Sequence, residues 1–533
     1  MNREVDAIEL RSWLHDGEEI AVLDVRDGGP YARSHILAAS SAPLSAFETS
    51  VLSLVPRRST RVVVVDDDGS LAARGAEVLG TAGYSNVYVL KGGNPAWEAA
   101  GYLLFSGSGI ISKAFGELIE LERKTPHVEA ETLAEWQARG VPHVLFDSRP
   151  LGEYRTVSLP GAVDCPGAEL VYRVPSVVAD DTIPVVVNCA GRTRSIIGAQ
   201  SLRDAGIRNP VFALKNGTMG WQLAGLDVIH GASNMVPEPT ESGLSAAKEM
   251  ASRILERDGI PVIDFRELSR MRGESNRTTY VIDVRQPESF EAAHIAGSLN
   301  VAGGQLVQAT DSVIAVRHAR IVLVDEHMVQ SVMTAHWLRQ MGWDVSVLAD
   351  AASHMTSSGP SSPEVLRPVS PGVAPIDVDD LAAEMHDGKC IVVDVGESYW
   401  YRQGRIPGSW YSMRSRLWDA LAGIDRSVPV VMVCGTGSIS PYAAGDVVGL
   451  GFSNVRWLRG GRNAWKRSGR PLETIGDEED ALVKTPTDDM WYPPWARKEG
   501  VEEAMMQYLT WEVGLLDSVA QETYVRFAVS AKK

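Results

Sequence analysis

The sequence predicts an α/β protein made of four tandem copies of one small unit, each with a parallel sheet. Three observations lead to this fold class: an apolar strand ending in Asp occurs four times, a second apolar strand follows at a nearly constant distance, and helical stretches separate the strands. Strands that alternate with helices form βαβ units, in which consecutive strands run parallel. A chain of 533 residues is also too long for a single core.

The first element of each copy is an apolar strand whose last residue is Asp. The four strands end at Asp24, Asp147, Asp283 and Asp394. Three of them continue as Asp-x-Arg, with Arg26, Arg149 and Arg285.

The second element is another apolar strand, and the residue at its end varies between copies. These strands end at Asp66, Cys189, Asp325 and Cys434. The separation from the Asp of the first strand is 42 residues in three copies and 40 in the fourth. Because chance does not hold such a spacing four times, the chain contains an internal repeat.

A third landmark follows 23 to 25 residues later. It reads Leu90-Lys91-Gly92-Gly93, Leu214-Lys215-Asn216-Gly217, Leu348-Ala349-Asp350 and Leu458-Arg459-Gly460-Gly461. The glycines suit a strand-to-helix turn that needs positive φ. A tryptophan follows in three copies, at Trp97, Trp221 and Trp465, and we expect it to pack the last helix on the sheet.

These landmarks predict four domains, two helical joints, one flexible linker and a helical tail. Amphipathic patterns indicate helices at the first two joints, and a Ser/Pro/Gly-rich stretch indicates the flexible third. The apolar tail is expected to dock on the domains or on a second chain. The predicted boundaries are 1–105 for domain one, 106–125 for a linker helix, 126–230 for domain two, 231–256 for a second linker helix, 257–355 for domain three, 356–371 for the flexible linker, 372–475 for domain four and 476–533 for the tail.

The composition indicates the cellular compartment and argues against certain classes of binding partner. The net charge of −17 argues against nucleic acid and against an anionic membrane, because both attract basic surfaces. The four cysteines form no CxxC pair and no metal-ligand spacing, which indicates free thiols in a reducing compartment. No bound metal and no cofactor are expected. With no apolar leader and no run of 18 apolar residues, the predicted location is the cytoplasm.

The chemistry-bearing stretch lies at the end of the second strand of domain two. It reads Cys189-Ala190-Gly191-Arg192-Thr193-Arg194-Ser195 and leads into a helix-like segment. In a strand–loop–helix turn, backbone N–H groups and the helix dipole converge on one point, and two arginines add full positive charges there. Cys189 is therefore expected to be largely thiolate near neutral pH.

Together these landmarks resemble the rhodanese family of sulfurtransferases, over about nine-tenths of the chain. The matching motifs are Asp-x-Arg before a Glu-Tyr or Glu-x-Phe segment, a turn similar to His-Ile-Pro-Gly-Ala, and the loop that begins at Cys189. In this chain they stand as Asp147-Ser148-Arg149 with Glu153-Tyr154, Asp283-Val284-Arg285 with Glu288-Ser289-Phe290, His294-Ile295-Ala296-Gly297-Ser298, Arg405-Ile406-Pro407-Gly408-Ser409 and Ser158-Leu159-Pro160-Gly161-Ala162. The resemblance implies a small five-stranded parallel sheet flanked by helices in every domain.

The resemblance also implies a reaction. Cys189 would take the outer sulfur of thiosulfate, release sulfite, hold the sulfur as a persulfide and pass it to cyanide or a thiol. The backbone N–H groups of residues 190 to 195 would stabilise the transferred group, and Arg192 and Arg194 would hold the sulfonate. The substrate-binding set is thus Ala190, Gly191, Arg192, Thr193, Arg194 and Ser195, and a sulfur-accepting protein is a further candidate partner.

The four copies depart from the family pattern in different ways. Asp66 and Asp325 stand where the nucleophile belongs, so domains one and three are expected to be inert. Domain four keeps Cys434, a second candidate catalytic residue, but its loop has no arginine and Gly396 replaces the Arg of Asp-x-Arg. The order inert, Cys, inert, Cys is that of a two-domain sulfurtransferase written twice, which predicts that each such pair packs together.

Asp147 and Arg149 are supporting candidates. Because Asp24 and Asp283 persist where no nucleophile does, we expect this pair to tie the strand end to its neighbours rather than to act in catalysis.

Two other functions compete with sulfur transfer. A phosphatase or arsenate reductase would use a Cys-x5-Arg loop, but Arg194 gives Cys-x4-Arg, one residue shorter. A sulfur-relay or protein-binding module would need the same loop as the enzyme.

Overall fold

The structure is a computed structural model that describes residues 3–178, 180–361, 364–475, 481–497 and 499–529. It contains four domains, each with five parallel strands covered by helices, which confirms the predicted fold class. Parts of the predicted linker (residues 362 and 363) and tail (476–480, 498 and 530–533) lie outside the described residues. Within the described residues, none of the helices has the length and apolar character that crossing a membrane requires.

The strands and helices of domains one and two follow the predicted repeat. Domain one contains β1 (Arg3–Val5), α1 (Ala7–Trp13), β2 (Ile20–Asp24), α2 (Gly28–Arg33), β3 (Ala39–Ser41), α3 (Phe47–Leu54), β4 (Arg61–Val65), α4 (Ser70–Thr81), β5 (Val87–Leu90) and α5 (Gly93–Ala99), followed by α6 (Ile110–Arg123). Domain two contains β6 (His127–Val128), α7 (Ala130–Ala138), β7 (Val144–Asp147), α8 (Leu151–Thr156), β8 (Val163–Asp164), α9 (Glu169–Val177), β9 (Val185–Asn188), α10 (Thr193–Ala205), β10 (Val211–Leu214) and α11 (Gly217–Leu223), followed by α12 (Glu241–Asp258).

Domains three and four repeat the plan. Domain three contains β11 (Val262–Ile263), α13 (Phe265–Gly273), β12 (Thr279–Asp283), α14 (Pro287–Ala292), β13 (Leu299–Asn300), α15 (Gly303–Gln308), β14 (Val316–Arg317), β15 (Arg320–Val324), α16 (Gln330–Gln340) and β16 (Asp344–Leu348). Domain four contains β17 (Ala374–Ile376), α17 (Val378–His386), β18 (Ile391–Asp394), α18 (Ser398–Gln403), β19 (Trp410–Tyr411), α19 (Leu417–Ala420), β20 (Val430–Val433), α20 (Ser440–Gly449), β21 (Val455–Leu458) and α21 (Gly461–Arg467). The C-terminal segment contributes α22 (Val501–Val519).

Each sheet places its first and second predicted strands side by side at the centre. In domain two the order is β6-β10-β9-β7-β8, and domains three and four have the equivalent orders β11-β16-β15-β12-β13 and β17-β21-β20-β18-β19. In domain one, β1, β5, β4 and β2 are neighbours in that order, and β3 pairs with β2. The central strands are mostly buried and rich in Val, Ile and Leu, as expected for a parallel sheet covered on both faces. Their carboxyl ends therefore bring the strand-ending Asp and the nucleophile position to one edge.

The predicted glycines have a steric reason. Gly217 has φ of +56°, and a Cβ built on it would lie 2.4 Å from the carbonyl oxygen of Cys189. Gly461 has φ of +58°, and its Cβ would lie 2.1 Å from the carbonyl oxygen of Cys434. Only glycine lets the turn after the neighbouring strand close against the nucleophile position. The tryptophan that follows is buried in three copies, and Trp221 packs with Val186 and Leu214 of the sheet.

The predicted pairing of domains is wrong. The chain divides into two compact units, of which one holds domains one and four and the other holds domains two and three with α22. In the first unit, Glu48 and Arg414 form a buried ion pair at 2.6 Å. In the second, the Trp337 indole donates to the Ser201 hydroxyl at 2.8 Å. Each of these contacts joins residues that are more than one hundred positions apart in the sequence. The order inert, Cys, inert, Cys therefore does not predict which domains pack together.

Candidate functional site

Cys189 lies directly after β9, at the carboxyl edge of the domain-two sheet, and only 2% of its surface is exposed. The neighbouring Asn188 side chain donates to Asp147 at 2.9 Å and to Thr218 at 3.1 Å. The Cys189 carbonyl accepts the backbone N–H of Thr218 at 2.8 Å. Three strand ends are thus tied together beneath the loop, which holds the cysteine in place.

Asp147 and Arg149 form the buried pair that the repeat predicts. Arg149 donates through Nε and Nη2 to the Asp147 carboxylate at 2.9 and 2.7 Å, and Nη2 also donates to the Val157 carbonyl at 2.6 Å. The same bonds recur between Asp24 and Arg26 in domain one. This arrangement fastens the strand end to the turn that follows α8.

Arg192 is largely buried, with 10% of its side chain exposed. Its guanidinium donates to both oxygens of Glu117 on α6 at 2.7 Å and is also held by Glu120. Asn216 accepts a further bond at 3.1 Å. Its charge is therefore balanced by two carboxylates about seventy residues earlier in the chain.

Arg194 is also engaged, although by fewer groups. It makes a two-point ion pair with Glu153 of α8 at 2.7 and 2.8 Å and a 3.2 Å contact with Gln305 of α15. Its side chain is 14% exposed, so most of it is shielded from solvent. The charge nevertheless reaches the nucleophile, because Arg194 acts to lower the pKa of Cys189.

Helix α22 of the tail docks on domain two, as expected for an apolar tail, and it covers the Cys189 loop, which was not predicted. Its apolar residues Met505 and Leu509 pack on Met219, the second residue after Gly217. Glu512 is 2% exposed and accepts the Thr193 hydroxyl at 2.5 Å and the Thr193 backbone N–H at 3.3 Å. A carboxylate therefore already occupies one of the backbone donors that the resemblance assigns to substrate.

The remaining loop residues turn inward. The Ala190 carbonyl accepts the backbone N–H of Met219 at 3.0 Å, and the Ser195 hydroxyl donates to the Arg192 carbonyl at 2.8 Å. A Cβ built on Gly191 would lie 2.8 Å from the Met219 methyl group and 3.2 Å from Glu512. A larger residue at that position would therefore require the Met219 methyl group and the Glu512 carboxylate to shift.

The expectation that Cys189 is largely thiolate is wrong for this closed arrangement. Burial raises the pKa of the Cys189 thiol, and the negative charge of Glu512 adds to the rise. Arg194 and Ser195 act in the opposite direction without overcoming burial. The carboxylates that surround the loop come from other parts of the chain, so the positive charge counted in the loop alone is too large.

Cys434 occupies the equivalent place after β20 and is also buried. Its sulfur accepts the Gly437 backbone N–H at 3.1 Å and lies 3.6 Å from the Ser440 hydroxyl. Thr436 and Ser438, farther along the same loop, are exposed. The Cys434 loop thus presents its outer side to solvent.

An arginine from another turn replaces the one missing from domain four. Arg462, on the first turn of α21, lies 3.3 Å from the Asp394 carboxylate and is 5% exposed. A Cβ built on Gly396 would lie 3.3 Å from Arg462 Nη2. The signal in the sequence was an arginine after the Gly460-Gly461 pair in the one copy that lacks Asp-x-Arg.

Domains one and three, the Asp copies, carry Asp66 and Asp325 at the nucleophile position and show how the loop binds an anion. The Asp66 carboxylate accepts the backbone N–H groups of Gly69, Leu71 and Ala72 at 2.7, 2.8 and 3.0 Å. Asp325 accepts two backbone N–H groups and the Ser331 hydroxyl. The turn therefore gathers donors around whatever group ends the second strand.

Comparison with known proteins agrees with this geometry. The family model described as rhodanese-like domain matches residues 6–100, 129–224, 264–353 and 377–468, which is more than half of the chain. A crystal structure of a thiosulfate sulfurtransferase from Pseudomonas aeruginosa superposes with a TM-score of 0.93 at 40% identity, covering 99% of this chain and 100% of that one.

Shorter relatives match parts of the chain. The thiosulfate sulfurtransferase GlpE of Pseudomonas savastanoi pv. phaseolicola is 33% identical over 96 residues, which are 18% of this chain and 90% of GlpE. The putative thiosulfate sulfurtransferase SseB of Mycobacterium tuberculosis is 27% identical over 214 residues, covering 33% of this chain and 72% of SseB. With four domains that share one sheet order and one strand-end loop, the chain belongs to the rhodanese family.

Proposed function

We propose that this protein is a sulfurtransferase that moves sulfane sulfur from thiosulfate to cyanide or a thiol through a persulfide on Cys189. One observation carries the proposal. In the Asp copies, the turn after the second strand directs three donors at the group in the nucleophile position. The same turn in domain two surrounds a cysteine, so a thiolate or persulfide there would receive the same stabilisation.

The loop residues take defined roles in this proposal. The Cys189 thiolate attacks the outer sulfur of thiosulfate, the sulfur–sulfur bond of the donor breaks, and sulfite leaves with the bonding electron pair. Backbone N–H groups of the loop stabilise the persulfide anion. Arg194, which already acts on Cys189 electrostatically, holds the donor's negative charge.

Cys434 is proposed as a second nucleophile. Its sulfur has one backbone donor at 3.1 Å, and its loop is exposed on the outside. Domains one and three are proposed to be inert, because a carboxylate cannot carry sulfane sulfur.

A steady-state assay with thiosulfate and cyanide, combined with intact mass after thiosulfate alone, tests the proposal. We expect thiocyanate to form and the mass to increase by one sulfur atom per loaded cysteine. A chain that forms no thiocyanate and gains no sulfur from thiosulfate would refute it.

A further inference from the structure

Domains one to three keep the arginine of Asp-x-Arg, and they differ in whether an acidic side chain contacts its Nη1 atom. In domain one, Arg26 uses Nε and Nη2 for Asp24 and directs Nη1 at the Asp67 carboxylate, at 2.7 Å. In domain three, Nη1 of Arg285 lies 3.1 Å from the Glu326 carboxylate. Both acids directly follow the Asp in the nucleophile position. The Asp copies therefore carry an internal anion on Nη1, beside the loop.

Domains two and four, the Cys copies, lack that acid. The residue after Cys189 is Ala190, and the residue after Cys434 is Gly435. Nη1 of Arg149 makes no hydrogen bond among the described residues, although Nε and Nη2 are bound as in domain one.

Domain four reaches a similar state with a different arginine. Arg462 Nη1 is buried without a hydrogen-bond partner among the described residues, although it lies 3.3 Å from Asp394. A Cβ built on Gly435 would lie 3.9 Å from Arg462 Nη2, with no other side chain or backbone atom within 4 Å. The guanidinium therefore borders Gly435, the residue directly after Cys434, which is the position where the Asp copies place their acid.

We propose that Arg149 and Arg462 each form an anion subsite beside their cysteine, which the Asp copies fill with Asp67 and Glu326 and the Cys copies leave for the sulfonate of the donor. This inference rests on the proposed function and names the groups that orient thiosulfate. A buried arginine with a spare N–H is a strong anion ligand, because its charge is poorly screened and its bond is charge-assisted.

The subsite has a defined part in the reaction. When the thiolate forms its bond to the outer sulfur, the leaving sulfonate becomes sulfite and keeps both charges of the donor, while the cysteine keeps one as a persulfide anion. An N–H directed at the sulfonate stabilises the charge that remains on the departing group. The transfer needs no external oxidant or reductant.

Restoring the acid tests the inference without touching either arginine. In the full chain, we would compare Ala190→Asp with the neutral, equally sized Ala190→Asn, and Gly435→Asp with Gly435→Asn. Sulfur loading from thiosulfate is followed at each cysteine by peptide mass spectrometry. The rate is divided by the rate of alkylation with neutral iodoacetamide at the same pH, which corrects for any change in thiolate fraction.

We expect each Asp variant to load its own cysteine about 10- to 100-fold more slowly than the matching Asn variant, with the other cysteine as internal control. Equal normalised rates in the Asp and Asn variants would overturn the subsite. Loading that is absent from both cysteines of the unmodified chain would refute the proposed function instead. Loading at Cys189 but not at Cys434 would overturn the assignment of Arg462 alone.

Discussion

The Cys189 and Cys434 loops begin with the same residue at the same point of the sheet, yet their surroundings differ. Cys189 lies under α22, and the two arginines of its loop are bound to carboxylates from α6 and α8. The Cys434 loop contains no arginine, but its outer residues are exposed and Arg462 lies beneath it. The number of arginines within a loop therefore does not predict the net charge around its cysteine. Carboxylates from other elements neutralise the arginines of the Cys189 loop, and an arginine from another turn lies beneath the Cys434 loop.

The largest effect on activity is expected when each candidate nucleophile is removed. Cys189→Ser should lower thiosulfate–cyanide activity by about two orders of magnitude, because no other group in the loop can carry the sulfur. Cys434→Ser should cost less, and Cys165→Ser is the control, because Cys165 is a free, buried cysteine outside both loops. A larger loss in Cys434→Ser would move the principal site to domain four.

The next effect in size concerns Arg194, whose counterpart the Cys434 loop lacks. Arg194→Ala should lower kcat/KM for thiosulfate by about 10- to 100-fold, the cost of one charge-assisted hydrogen bond of about 1.5–3 kcal/mol. Arg194→Lys should recover part of the loss because it keeps the charge. An unchanged kcat/KM together with a large fall in Tm would show that the ion pair with Glu153 is the main role of this residue.

A smaller effect, of opposite sign, is expected for the carboxylate that covers the Cys189 loop. Glu512→Gln removes a charge that raises the pKa of Cys189, so that pKa should fall and the thiolate fraction at neutral pH should rise. We expect sulfur loading of Cys189 to increase by about 2- to 10-fold, corresponding to roughly 0.4–1.4 kcal/mol.

The pH dependence of alkylation checks the Glu512 prediction. The midpoint of iodoacetamide alkylation at Cys189 should move to lower pH in Glu512→Gln, while the midpoint at Cys434 in the same chain should stay in place. A shift at both cysteines, or at neither, would contradict a local effect of this carboxylate.

The smallest effect is expected for Arg192. Because Glu117 and Glu120 already balance its charge, Arg192→Ala should change kcat/KM for thiosulfate by only about threefold or less. Its Tm should fall, since two carboxylates would lose their partner. A loss in kcat/KM as large as that of Arg194→Ala would show that Arg192 leaves its acids to bind the donor.

The sequence was sufficient for the fold and for the position of the cysteines. The strand periodicity and the repeated spacing are local properties, and the Gly217 and Trp221 positions have the steric and packing roles that they predict. The surroundings of the cysteines are not local. Glu512 contacts Thr193 although the two residues are 319 positions apart in the sequence, and no sequence pattern near either residue predicts the contact.

The site in domain four was predicted less well for a related reason. Gly396 correctly indicated a missing arginine, but a compensating arginine could stand on any turn at the same edge of the sheet. Only the packing of the turn after β21 against the Cys434 loop places Arg462 there.

The carboxylate in the Asp66 loop has a consequence for oxidative damage. An aspartate is close in shape and charge to a cysteine oxidised to the sulfinic acid, a stage of thiol oxidation that is generally irreversible. Backbone donors like those that hold Asp66 would also hold a sulfinate on Cys189 or Cys434, because each cysteine ends its strand at the equivalent turn. The geometry that suits a persulfide therefore also favours over-oxidation, and in this chain two of the four turns, with Asp66 and Asp325, are chemically immune to peroxide at this position.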